Sequence, residues 1–289
     1  MKRLEAPENA AKLLVDTRGV IYASYFWAKK HYDVENREEF ESAMLARFFD
    51  KLRSAHYYAN TNRIIFCCDS ATSKRRELYP DYKGRRPKDE HFLLYKDFFL
   101  KIQNEILPAM GFNNVIEAEG LEADDIIASI CLKENKLPIV IFSDDADLYQ
   151  CLKPNVTMLS VVRSGNSVMD VVKFEKHFNI PASRWADVKA ICGCTTDNVP
   201  GVPQCGEGRA IAYLNGELKG GVVRTRIEQS ADIIKFTDRL VRLPFDGVVL
   251  SVDWLVDTFN TDYILDMIEK YTLLFMNEPF WGKFFGFTK

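Results

Sequence analysis

The sequence predicts an α/β fold built on a mainly parallel sheet with helices on both faces. Short apolar runs alternate with helical apolar spacing over about the first 165 residues, as expected for strands joined by crossover helices. Three of these runs end at aspartates: Asp16, Asp69 and the Asp145/Asp147 pair. Ligands bind beyond the carboxyl ends of strands in such sheets, so these acids are candidates for one shared site.

The predicted elements follow in chain order. Strands are expected at 12–16, 63–68, 114–118, 137–142, 156–162 and 167–171, with a turn at 163–166. Helices are expected from about 21, after a turn at 17–19, and at 38–58, 91–110, 122–133, 173–178, 182–192, 208–214 and 231–243. Residues 70–90 are expected to form a loop, and 254–275 a strand-like segment and a helix.

Composition limits the classes of protein that fit. The 289 residues suggest one large or two modest domains, and 47% hydrophobic residues are ample for a core. No apolar run is long enough to span a bilayer, and the first residues lack the apolar core of a signal peptide. Seven cysteines without a CxxC pair indicate reduced thiols, neither a disulfide framework nor a zinc site. We therefore expect a cytoplasmic protein without a membrane partner.

The charge is unevenly distributed. Residues 74–88, KRRELYPDYKGRRPK, hold seven Lys and Arg against two acids, a local charge of +5. The whole chain carries −3, which leaves the remainder at −8. A basic segment on an acidic body indicates a nucleic-acid partner that the net charge alone would hide.

The stretch Leu121–Ala128 (LEADDIIA) places three carboxylates at the start of an apolar-periodic helix. On a helix Glu122 and Asp125 share one face, and Asp124 lies about one step round. Two such acids about 5 Å apart repel each other by roughly 3 kcal/mol at an effective dielectric near 20, which a divalent metal would offset. The alternative is a first helical turn whose acids only complement the helix dipole.

Other segments also allow two interpretations. Residues 192–208 are rich in Gly and Pro, so they form either a phosphate-holding turn at a helix N-terminus or an ordinary loop between helices. Each strand-end aspartate alone could be a helix N-cap. The aromatic segment 280–287 favours core or interface packing over base stacking.

Five motifs in order resemble the 5′-to-3′ exonuclease and flap endonuclease family, especially the small bacteriophage members and the nuclease domain of bacterial DNA polymerase I. They are strands ending in Asp16 and Asp69, the basic segment with L-Y-P-D-Y-K (78–83), E-A-D-D (122–125), S-D-D-A-D-L (143–148) and T-D-N-V-P-G-V (196–202). The resemblance implies a PIN-like fold over residues 1–171 with a helical arch at about 70–105. It also implies a helix–three-turn–helix subdomain over 172–250, and a segment at 251–289 that packs back on the first domain.

The same resemblance implies two Mg²⁺ or Mn²⁺ ions held by two acid clusters. One cluster comprises Asp16, Asp69, Glu122 and Asp124, and the other Asp125, Asp145, Asp147 and Asp197, with Asp145 or Asp125 shared. Such oxygen-rich sites suit these ions better than zinc. Two ions roughly 4 Å apart can activate a water and stabilise the leaving oxygen at phosphorus.

Catalytic and DNA-binding roles are implied in the same way. Lys83 and Arg86 would stabilise or clamp the scissile phosphate, Asp125 would act in catalysis, and Tyr82 would stack on a base. The positively charged helical arch would act as a gate for single-stranded 5′ ends. It would bind DNA through Arg75, Arg76, Lys83, Arg85 and Arg86. Duplex contacts are expected at Gly201, Gly206, Gly208 and Arg209, with a K⁺ ion at the loop carbonyls. The expected partners are nicked or branched DNA with a 5′ end, RNA–DNA hybrids and replication proteins, and the chain is expected to be a monomer.

The chain departs from the family pattern at two positions. Cys194 stands where the family has an aspartate, and a neutral thiol is a poor ligand for Mg²⁺. Gly208 replaces the usual lysine, so Arg209 would take over its phosphate contact. The leading hypothesis is a metal-dependent, structure-specific 5′ nuclease of replication and primer removal, in the host cytoplasm if phage-encoded. The alternative is a weakly active or non-catalytic DNA-structure-binding protein; a ribonuclease or a structural protein fits the motifs less well.

Overall fold

The computed structural model describes residues 11–85, 89–161 and 167–286. Its centre is a six-stranded sheet of order β3-β2-β1-β4-β5-β6, in which β1 to β5 are parallel and β6 is antiparallel. The strands are Lys12–Asp16 (β1), Arg63–Cys68 (β2), Val115–Glu117 (β3), Ile139–Phe142 (β4), Val156–Leu159 (β5) and Val168–Met169 (β6). The predicted mainly parallel sheet is confirmed, and several strands are shorter than expected.

Helices cover the sheet and form most of the second half of the chain. They are Thr17–His31 (α1), Arg37–Ala59 (α2), Lys74–Leu78 (α3), Glu90–Leu94 (α4), Lys96–Lys101 (α5), Leu107–Met110 (α6), Ala123–Lys133 (α7), Val171–Phe178 (α8), Trp185–Cys192 (α9), Glu207–Leu214 (α10), Val222–Gln229 (α11), Ala231–Val241 (α12), Thr261–Lys270 (α13) and Pro279–Phe285 (α14). None of the helices in the described ranges is long and apolar enough to cross a membrane.

Alternation along the strands divides the core into two. Leu13 and Val15 of β1 face one core with α1, α2 and α14, whereas Leu14 faces the other with α7, α8 and α9. Successive side chains of a strand point to opposite faces, so a strand buried on both faces reads as a continuous apolar run. This arrangement holds the carboxyl ends of β1, β2 and β4 at one common edge.

Several elements differ from the sequence prediction, and for α1 and α3 a helix cap explains where the helix begins. Helix α1 begins at Thr17 because the Asp16 carboxylate accepts the backbone N–H of Gly19, so the predicted turn is the capped first turn of the helix. The basic stretch contains α3, capped by Ser73. The predicted helix 91–110 is divided into α4, α5, a π-helical turn at Ile102–Ile106 and α6. Helix α11 was not predicted, and the turn expected at 163–166 lies outside the described ranges.

The C-terminal part packs against the first half of the chain. Asn113 and Asn114 hydrogen-bond Leu255, Val256, Asp257 and Thr258, which ties an extended stretch without strand pairing to the start of β3. Trp281, Phe284 and Phe285 of α14 are buried in the core that contains α1 and α2. The core interpretation of this aromatic segment is therefore confirmed over 280–286, and Phe287 lies beyond the described residues.

Candidate metal centre

Strand ends and one helix start bring the predicted acids to the carboxyl edge of the sheet. Asp16 ends β1, Asp69 follows β2, and Asp145 and Asp147 follow β4. Glu122 is the N-cap of α7, and the adjacent N–H of Ala123 donates to Asp69 across 2.8 Å. Three strand ends and a helix N-terminus therefore meet around one group of carboxylates.

Asp16 is held firmly within this group. Its oxygens accept the Gly19 N–H at 2.9 Å and the Ser143 hydroxyl at 2.7 Å. A Cβ at Gly19 would lie 2.4 Å from the carboxylate, so any larger residue there would displace it. Burial, together with the charges of Asp69 and Asp145, raises the pKa of Asp16 to about 6.

Asp124 lies close to Asp16 and Asp145. We call the space between these carboxylates the cleft. Burial and the charges of Asp145 and Asp16 raise the pKa of Asp124 well above the ordinary value, and Lys83 opposes the shift only in part. Asp147 behaves alike: burial and Asp145 raise its pKa to about 6 against the opposing charge of Lys189. Carboxylates that destabilise one another in this way form a site for an added cation.

Four cationic side chains already contact the group, and one of them, Arg75, lies 3.6 Å from Glu122 while it is bonded to Asp125. Arg18 lies 3.1 Å from Asp69, Lys83 lies 2.9 Å from Glu122, and Lys189 lies 3.2 Å from Asp147. Across the described ranges, no three His, Cys, Asp or Glu side chains already converge as a complete ligand set. The donors are nonetheless all carboxylate oxygens apart from Cys194, which is the chemistry that Mg²⁺ and Mn²⁺ prefer.

Asp125 does not face this cleft, which corrects its expected role as metal ligand and catalytic residue. It is fully buried and forms a bidentate pair with Arg75, at 2.6 and 2.8 Å. Its two oxygens also accept the N–H groups of Glu122 and Phe245. The prediction was wrong because Glu122 is the N-cap: Asp125 folds back to complete a capping box, and all its acceptor positions are filled.

Arg75 and Tyr82 are likewise not placed to touch DNA. Arg75 is 2% exposed, and its remaining N–H donates to the carbonyl of Leu240. Burial opposes its charge, but Asp125 outweighs burial and raises the Arg75 pKa. Tyr82 is 4% exposed and donates its hydroxyl to Glu122 at 3.0 Å, so stacking on a base does not fit its position.

The turn after α9 is fastened to the base of the predicted gate. The Lys83 N–H donates to the Asp197 carbonyl at 2.7 Å, and the Asn198 side chain donates to the Asp81 carbonyl at 2.9 Å. Asp197 is mostly buried and adds its charge beside Asp147. A Cβ at Gly201 would lie 2.1 Å from the Cys192 carbonyl, so only glycine allows this close backbone packing, and the DNA contact expected at Gly201 stays a prediction.

The other predicted DNA-binding residues lie on the surface. Arg76 and Arg85 are exposed, whereas Arg86 lies outside the described residues. Gly206 and Gly208, at the start of α10, have open space where a side chain would be. Arg209 is exposed and bonds the carbonyl of Gln204.

Sequence reasoning missed Arg18, Ser143, Lys189 and Asn198. Arg18 lies two residues after Asp16, at the end of β1, and therefore close to Asp69 at the end of the neighbouring strand β2. Lys189 stands alone among apolar residues of a helix, and a buried cation needs an acidic partner. Asn198 belongs to the quoted turn motif, but only the fold shows that it reaches the segment around Lys83.

A family model matches this arrangement. Residues 11–179 match the 5′-3′ exonuclease, N-terminal resolvase-like domain, which is more than half of the chain. The chain belongs to the 5′-3′ exonuclease family. It is a structure-specific 5′ nuclease and hence a phosphodiesterase.

Individual relatives agree with the family. The chain is 27% identical to a 5′-3′ exonuclease of Buchnera aphidicola subsp. Schizaphis graminum over 207 residues, 70% of this chain and 69% of that one. It is 30% identical over 226 residues, 76% of this chain, to DNA polymerase I of Rhizobium leguminosarum, of which it covers 21%.

Solved structures show the same PIN-like fold. The D15 protein of T5, co-crystallised with metal ions, superposes with a TM-score of 0.64 at 19% identity, covering 93% of this chain and all of that one. Flap endonuclease-1 of Methanococcus jannaschii superposes with a TM-score of 0.53 at 15% identity, covering 93% and 94%. A related T5 structure is a pseudo-enzyme–product complex with DNA and metal ions.

Proposed function

We propose that this nuclease cuts DNA at 5′ ends, nicks and flaps with two Mg²⁺ or Mn²⁺ ions held by the carboxyl-edge acids. The observation that carries the proposal is the proximity of Asp16, Asp124 and Asp145 at one sheet edge, where burial and neighbouring acids raise the pKa values of Asp16 and Asp124 and an added cation would stabilise the charged carboxylates. The first ion would be held by Asp16, Asp69, Glu122 and Asp124, and the second by Asp145, Asp147 and Asp197. Asp125 would support them by fixing Glu122.

Bound ions would supply a Lewis acid for the phosphate and activate the attacking water. Lys83 would place its ammonium group beside the scissile phosphate, because it reaches the cleft at Glu122 and its backbone is fixed by Asp197. Arg76 and Arg85, with Arg86, would guide a single-stranded 5′ end into the cleft through their charge.

The duplex would lie on the helix–three-turn–helix, residues 172–250. The open N-terminus of α10 at Gly206 and Gly208 suits a phosphate, and Arg209 lies beside it. Such contacts are independent of sequence and weaken as salt rises. A K⁺ ion at the carbonyls of the turn, RNA–DNA hybrids as substrates, replication proteins as partners, a monomeric state and a cytoplasmic location are further parts of the proposal.

The proposal is tested by cleavage of a labelled 5′ flap and a nicked duplex across micromolar to millimolar Mg²⁺. Asp124→Asn is expected to lower kcat by at least a hundredfold, because it removes a central ligand. Asp144→Asn is the matched control. Asp144 is exposed, precedes Asp145 in sequence and is bonded to Ser160, so its loss should leave cleavage within about twofold. Full activity of Asp124→Asn would overturn the metal assignment.

Cys194 motivates the alternative of a DNA-structure binder with little catalysis. Its thiol lies 3.1 Å from the Thr196 hydroxyl, within the turn that carries Asp197. Binding of a flap in Ca²⁺ without cutting in Mg²⁺ or Mn²⁺, and cutting only after Cys194→Asp, would favour this alternative. The family assignment favours cutting by the wild-type chain.

A further inference from the structure

Lys189 is more enclosed than Arg18 and Lys83, the other two cations that point at the metal-site acids and are not held by Asp125. It is 8% exposed, with its ammonium 3.2 Å from Asp147, 3.0 Å from Glu207 and 5.5 Å from the centre of the Trp185 ring. The two acids come from different elements, the turn after β4 and the start of α10. If the Lys189 ammonium moved away from this position, the Asp147 carboxylate would lose its cationic partner, which is costly for a buried charge.

Two cations of the first cluster, Arg18 and Lys83, are more exposed than Lys189, whereas Arg75, 3.6 Å from Glu122, is already bound bidentately by Asp125. The Arg18 side chain is 36% exposed and that of Lys83 18% exposed, against 10% for Lys189. Arg18 and Lys83 each contact one acid of the first cluster, whereas Lys189 of α9 contacts two acids, Asp147 and Glu207. The two clusters therefore differ in how readily their internal cation gives way to an incoming ion.

Cys194 adds to this difference. It stands in the turn beside Asp197 and supplies no formal charge, so the second cluster offers three carboxylates against four in the first. One of those three, Asp147, is shared with Lys189.

We infer that Lys189 is a positioning residue that weakens the second cation site by committing Asp147 to an internal ion pair. This inference rests on the proposed function and specifies its metal requirement. The first ion binds tightly, and the second binds at least tenfold more weakly. A fixed positive charge a few ångströms from the second ion opposes its binding by on the order of tenfold or more.

The test is a Mn²⁺ titration of the full chain, followed by the electron paramagnetic resonance signal of free Mn²⁺, without DNA. Wild type is expected to show two classes of site that differ at least tenfold in Kd. Lys189→Met should narrow that ratio by roughly tenfold. Lys12→Met is the matched control, because Lys12 pairs with Glu134 at 2.9 Å at the opposite end of β1, and its ratio should equal that of wild type.

A second variant keeps the test independent of folding in Lys189→Met. Glu207 is an exposed residue, so Glu207→Gln should fold and should leave Lys189 entirely to Asp147, widening the ratio. Opposite shifts in the two variants support the inference. An unchanged ratio in Glu207→Gln and in any folded Lys189→Met overturns it.

Cleavage of a nicked duplex by the same preparations separates the inference from the proposed function. Cutting by a wild type whose two sites bind equally would overturn only the role of Lys189. The expected Mn²⁺ ratio without any cutting would overturn only the nuclease proposal.

Discussion

Asp124 and Asp125 are neighbours on the first turn of α7, yet their surroundings differ in charge: Asp125 faces a cation and Asp124 faces other acids. Asp125 is fully buried, and Arg75 and two backbone N–H groups fill its acceptor positions. Asp124 is surrounded by Asp145, Asp16 and Glu122, with Lys83 as the opposing charge. A carboxylate with a complete set of donors stabilises the fold, whereas one surrounded by acids lowers stability and is available to a metal.

The largest expected effect comes from Asp125→Asn. Arg75 would keep its charge in a buried position beside a neutral amide, which costs about 3–5 kcal/mol. Urea unfolding measures the loss, with Asp232→Asn, at an exposed first-turn acid of α12, as the control. Replacing both partners, as Arg75→Met with Asp125→Leu, should recover much of the stability. A loss below about 1 kcal/mol in the single variant would contradict the structural role.

The next effect is a dependence on pH in the presence of a chelator. The pKa of Asp16 is raised from 3.8 to about 6, so the folded chain keeps a proton that the unfolded chain loses. Stability therefore falls as pH rises from about 4 to above 6, by on the order of 3 kcal/mol, and is constant on either side.

Groups whose pKa is lowered by folding make stability rise with pH. The stability of wild type is therefore compared with that of Asp16→Asn at each pH. The asparagine can still cap α1, and it does not titrate. Wild type should lose stability relative to this variant between pH 4.5 and 7 in urea unfolding with chelator. A difference that is constant with pH would show that Asp16 is not destabilised by its neighbours.

Asp124→Asn should shift stability in the direction opposite to Asp125→Asn. Removing one acid from a repelling group is expected to raise the free energy of unfolding by about 1 kcal/mol in chelator at pH 7. The same urea experiment applies. A loss of stability comparable to that of Asp125→Asn would remove the distinction between the two positions.

The smallest effect is stabilisation by Mg²⁺. An ion that binds only the folded chain adds about 0.6 kcal/mol at twice its Kd. Wild type should gain this in a thermal melt, and Asp124→Asn should gain little. Folded Asp125→Asn should keep most of it, and loss of the gain in Asp125→Asn alone would return Asp125 to the list of ligands.

Much of the fold and of the acid group could be predicted from sequence because both depend on local pattern. Apolar runs gave the strands, and parallel strands end at one edge, which brought Asp16, Asp69 and Asp145 together. Helix α11 was missed because its polar residues show no clear apolar period.

The roles of Asp124 and Asp125 could not be separated in this way. Their directions depend on which residue caps α7, and on Arg75, which is 50 positions away in sequence. Arg75 and Tyr82 look like surface residues of a basic segment, and only the packing of α3 against α7 and α12 shows that they are buried. Long-range partners of this kind leave no local pattern.

The strand order has a consequence for how the gate can vary. From β1 the chain builds outward through β2 and β3, then returns to β4 on the other side of β1 and builds away through β5. The connections after β1 and β4 therefore run to opposite sides of a topological switch point, and neither crosses the space between these two strand ends. The predicted gate, residues 70–105, lies in the connection from β2 to β3, so changes of length there would leave the strand ends that carry Asp16 and Asp145 in place.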